Sequence, residues 1–171
     1  SNGNNFGSVT FNGGGAWTFT DIALMDANLT ITAGSVTVDA FNFTVSTTTS
    51  ISGSLLFSSS SGTKTFTGLV TINANGTWNN SGNSTITFKG GITNSGTFTA
   101  GTGVQTFNTN AQALTGTLSI PSVTVTGVTL TNNGTLTVGT ALSGTGGTLI
   151  QGTSAILNLG GTSDITTLTA N

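Results

Sequence analysis

Apolar and small polar residues alternate along most of the chain, as in Gly34-Ser35-Val36-Thr37-Val38, and the alternation returns at a nearly constant interval. A period of two belongs to a strand, whose successive side chains leave opposite faces. Apolar positions spaced three and four apart, the mark of a helix stripe, do not recur. The chain is therefore expected to be all-β.

The interval is marked by a Gly, a small or hydroxyl residue and then an apolar one, beginning at Gly15, Gly34, Gly53, Gly76, Gly96, Gly116, Gly134 and Gly152. The spacings are 19, 19, 23, 20, 20, 18 and 18, so eight units of about 20 residues fill the chain. The second residue after each Gly is Trp17, Val36, Leu55, Trp78, Phe98, Leu118, Leu136 and Ser154. The fourth is Phe19, Val38, Phe57, Asn80, Ala100, Ile120, Val138 and Ile156. These two positions share a strand face and are expected to line an interior, while the first and third, mostly Thr and Ser, face out. Two further alternating runs follow in each unit, such as Phe41–Val45 with Ser50–Ser52, and Val123–Val125 with Val128–Leu130.

Three short strands per unit make one rung of a coil. A rung alone cannot bury its apolar face, whereas stacked rungs share a continuous core. The pattern predicts a single-stranded parallel β-helix, a β-solenoid of about eight rungs in one domain over residues 1–171. It is expected to be right-handed, because parallel crossovers strongly prefer that hand. A β-sandwich has no reason to repeat one tripeptide at this interval. Ser58–Gly62, in the longest spacing, reads as a protruding loop, and Pro121 reads as a corner residue, where a missing N–H is tolerated. Eight rungs make a rod roughly 38 Å long.

Neither end of the sequence reads as a capping element, and Thr167–Asn171 still alternates. The expectation is a slice of a longer solenoid, or end rungs that stack on neighbouring copies into a filament. Charge opposes this weakly: the net charge is −2, carried by Asp21, Asp26, Asp39, Asp164, Lys64 and Lys89 alone. Hydroxyls and amides replace charge, with 39 Thr, 19 Ser and 18 Asn. Two Lys and no Arg leave few sites for trypsin-like proteases, which suits an exposed, extracellular fibre. No signal-peptide pattern opens the sequence, and no apolar run reaches the roughly 18 residues of a membrane span. An export signal is expected outside this segment.

His, Cys, Arg, Glu and Tyr are absent, which removes most acid–base, thiolate and metal chemistry. No catalytic, cofactor-binding or metal-ligating residue is nominated, and the chain is read as no enzyme. Asp21, Asp26 and Asp39 are the carboxylates that a weak Ca²⁺ site would draw on, but solvated turn residues are the preferred reading. Gly101-Thr102-Gly103 lacks the third Gly of a dinucleotide fingerprint, and two Lys cannot make a nucleic-acid surface. Trp17 and Trp78 would suit sugar faces if exposed, but both occupy the inward column.

The stretches Ile92–Gly103 and Leu130–Gly139 resemble the repeats of very large bacterial β-strand-repeat surface proteins, and filamentous-haemagglutinin-like adhesins are similar. The resemblance spans nearly the whole chain and implies a secreted fibre or adhesin. An Asn-Pro-Asn-Gly type of secretion motif is not present, so it implies no export route. The expected role is an extracellular rod that associates end to end. The alternatives are a surface glycan-binding module and an ice-binding solenoid using outward Thr columns, such as Thr97 with Thr99 and Thr135 with Thr137.

Overall fold

The computed structural model describes residues 5–170, which form 23 strands and no helix. Every strand pairing is parallel, and partners lie about one rung apart in sequence. The strands stack into three columns, giving a parallel β-solenoid of about eight turns. The first column holds residues 16–19, 35–38, 54–57, 77–79, 97–99, 117–119, 135–138 and 156–159. The second runs from Asn5–Phe6 through Ala23–Met25, Phe43–Val45, Lys64–Phe66, Ile86–Phe88, Gln105–Asn108 and Ser122–Thr126 into two longer strands. The third starts at Val9–Phe11 and passes through Leu29–Ile31, Thr49–Ile51, Val70–Ile72 and Ile92–Asn94.

The inward positions expected of the first column are buried: Val36, Leu55, Trp78, Leu118 and Leu136, with Val38, Phe57, Asn80, Ala100, Ile120 and Val138. Trp17, Phe19 and Phe98 pack on this core while half-buried. In the second column Phe66, Phe88 and Phe107 stack ring on ring, with centroids 5.9 and 5.4 Å apart and planes 22° and 17° from parallel. Trp78 bridges the columns, 4.9 Å from Phe57 and 5.1 Å from Phe66. Its indole Nε1 finds no hydrogen-bond partner, so the ring is held by bulk and stacking.

The recurring Gly has a steric cause. It sits at the corner between the third and first columns, where rungs approach most closely. A Cβ on Gly53, Gly96 or Gly134 would overlap the backbone oxygen of Gly34, Gly76 or Gly116 respectively, the marker of the rung before. The marker thus fixes the stacking corner as well as the turn.

Two expectations need correction. The eighth unit does not start at Gly152: Thr135 pairs with Ile156, Leu136 with Leu157 and Val138 with Leu159. A turn at Thr153–Ser154, with Ser154 at φ 62°, displaces the strand by three residues, so Leu157 and Leu159 occupy the inward positions that alignment on Gly gave to Ser154 and Ile156. Nor does Ser58–Gly62 hold the whole insertion of the longest rung. Two extra residues lie within 58–63 and two within 73–76, relative to the rung before. Pro121 lies at the corner expected, and its carbonyl oxygen accepts the N–H of Thr140 at 2.7 Å.

Candidate functional site

A mostly hydroxyl exterior leaves few places where chemistry can concentrate, and the most distinctive one lies inside. Lys64 begins an inward-facing Lys-Thr-Phe strand, so alternation sends its side chain into the core beside Phe66, between Phe43 of the rung before and Ile86 of the rung after. It is 1% exposed. Its ammonium donates to the backbone oxygens of Asp39 at 3.1 Å, Phe41 at 2.8 Å, Ser61 at 2.5 Å and Gly62 at 3.4 Å. Burial pushes its pKa below the ordinary lysine value of 10.5, and the Asp39 carboxylate opposes that shift. The Ser58–Gly62 loop is therefore fastened to the rod from within.

Buried amides do the same elsewhere. Asn80 donates to the Ser84 and Ala100 oxygens at 2.9 and 2.7 Å and accepts the Ser84 N–H at 2.9 Å. Gln112 donates to the Phe88 and Asn108 oxygens, both at 2.9 Å, and accepts the Gly91 N–H. Asn132 donates to Gln151 Oε1 at 2.8 Å and to the Ile156 oxygen at 2.9 Å. Each bonds backbone groups at or beside a corner. The sequence signal for all of them is a polar residue at an inward register position.

No family model matches the chain, and no curated protein or solved structure matches it.

The carboxylates do not assemble a metal centre. Asp21 accepts the Ile22 N–H at 2.7 Å, Asp26 accepts from Asn5 at 3.0 Å, and Asp39 accepts from Ser58 at 3.3 Å. Among the described residues no three His, Cys, Asp or Glu side chains gather to hold an ion. Trp78 is fully buried and offers no sugar platform, while Trp17 edges a shallow depression with Phe11 and Phe19 at one end of the rod. A second depression, lined by Leu157, Leu159 and Leu168, lies at the other end. Among the described residues no helix is long and apolar enough to cross a membrane.

Outward positions carry hydroxyls in register. Thr77 pairs with Thr97 and Asn79 with Thr99 in the first column, and Thr117 pairs with Thr135. The longer ranks belong to the other two columns, which the Gly-based alignment did not bring into register.

Proposed function

We propose that this chain is a length of stiff extracellular rod, a fibre or adhesin shaft whose role is mechanical and whose ends join further rungs of the same cross-section. The observation that carries the reading is the parallel pairing from rung to rung, continuous through the second and third columns, which makes each rung the template for the next. The terminal rungs hold this template open: Phe6 at one end is 39% exposed, and Leu159 and Leu168 at the other are 40% and 44% exposed. Each end presents apolar side chains and parallel strand edges, and a rung built on the same plan covers both. A heterologous, head-to-tail joint of this kind propagates into a filament rather than closing. Few charges oppose it, and two Lys with no Arg leave little for trypsin-like proteases to cut.

Electron microscopy of the purified chain at neutral pH, with fibre diffraction, tests the reading. Filaments one rod wide with a repeat of about 4.8 Å along the axis are expected. Monodisperse short rods at all concentrations would remove end-to-end joining.

A further inference from the structure

We propose that the face carried by the second column binds ice. Its outward positions are Thr44, Thr65, Thr87, Thr106, Thr124 and Ser143, in direct Cα register over six successive rungs. All six are half-buried by their neighbours in the rank. Among the described residues the protein hydrogen bonds of these hydroxyls are confined to the Thr124–Ser143 pair at 3.1 Å, so the rest point their donors and acceptors at whatever lies above the face.

Neither other column offers the same array. Pairing in the first stops between 97–99 and 117–119, where one sheet ends and the next begins. The third has a rank of equal length, but Ser50 interrupts its threonines and is engaged by the Asn73 amide at 3.2 Å. Five consecutive threonines differ from serines in a physical way. Branching at Cβ restricts χ1, so hydroxyls and methyls repeat in one orientation from rung to rung.

The ranks recur at about 4.8 Å along the rod, close to an oxygen repeat of the ice lattice, and outward neighbours on one strand are about 6.6 Å apart. Thr63 and Thr85, both exposed, extend the array sideways at two rungs, two residues before Thr65 and Thr87, while Val104 takes that place before Thr106. The rank itself is uncharged; Lys89 stands at its flank, and Asp164 pairs with Ser143 at its end. A periodic rank of uncharged hydroxyls held by a strand ladder suits a periodic, uncharged partner better than a small ligand, which is bound in clefts. Preorganisation is what such binding needs, since each hydroxyl contact contributes little against the cost of ordering. The strand ladder supplies that order before contact.

The test is adsorption of the fluorescently labelled full chain to a growing ice hemisphere, together with inhibition of ice recrystallisation. Wild type is expected to coat the ice. The double variant Thr87→Lys with Thr106→Lys is expected to lose adsorption while keeping its β-sheet circular dichroism. The double variant Thr93→Lys with Thr99→Lys, on the other two columns, is expected to retain it. No adsorption by wild type, or equal loss in both variants, would overturn the proposal. Because the readout is ice and not filament length, it fails or stands independently of end-to-end joining.

Discussion

The rod has two differently built halves. All ten Phe and both Trp lie at or before residue 107, and the remainder of the chain has no aromatic residue. In the first region the core is a stack of rings: Phe43, Phe57, Phe66, Trp78, Phe88 and Phe107 are all fully buried. In the second it is Leu, Ile and Val, with Val125 in register above Phe107. The backbone differs as well. Marker spacing falls to 18 between Gly116 and Gly134, and corners tighten until strands run through them, as in Gln112–Ser119, Ala141–Gln151 and Thr162–Thr169. Gly144, at φ +135°, lets the longest of these bend, and register shifts there. Rung length does not follow the core, since the rung from Thr135 to Ile156 takes 21 residues while those opening at Ala16 and Ser35 take 19 each, and the hydroxyl exterior hardly changes.

The comparison breaks most sharply at Trp78. Trp78→Ala removes the ring that joins two columns and should cost about 3–5 kcal/mol, read as a fall in the unfolding midpoint in denaturant. Leu136→Ala in the aliphatic half should cost less, toward the lower end of about 2–5 kcal/mol, because the smaller side chain leaves a smaller cavity. An equal loss at both sites would show that ring stacking adds nothing to burial.

Overpacking should reverse the order. Val125→Phe, in the aliphatic half, should cost about 1–3 kcal/mol. Val45→Phe, between Met25 and Phe66, should be better tolerated, because the flexible Met25 side chain can give way. Thermal melts of the two variants side by side decide this.

Lys64 belongs to the aromatic half and gives a smaller, pH-dependent effect. Lys64→Met keeps the interior filled but leaves carbonyl oxygens without a donor, and about 1–3 kcal/mol of destabilisation is expected at neutral pH. The folded state lowers the Lys64 pKa, so between that value and 10.5 the unfolded chain binds the proton more tightly. Wild-type stability relative to Lys64→Met should therefore rise as pH climbs through this window and level off above 10.5, where neither state holds the proton. A flat difference between the two melting curves across alkaline pH would contradict the burial of the ammonium.

Much of this was legible in the residues. Period-two alternation and the recurring Gly specified parallel rungs, their number, and the inward column from Val36 to Val138, because a strand has only two faces and only one of them can be dry. Lys64 was not legible as an internal fastener, since a lysine in a polar run reads as surface until the register of its strand is known. The eighth rung was misread for a related reason: alignment on Gly152 assumed that every Gly marks the same corner, whereas the strand begins at Ile156 once the turn at Thr153–Ser154 is allowed.

What the sequence determined by itself is therefore local and periodic: strand, face and repeat, each fixed by alternation and by the steric exclusion of a Cβ at the stacking corner. What only the tertiary structure decided is registration between rungs, including which outward threonines line up, which polar side chains turn inward, and which corners take extra residues. Those depend on contacts between residues about 20 positions apart, and insertions of two or three residues in a corner move such contacts without disturbing the alternation on either side.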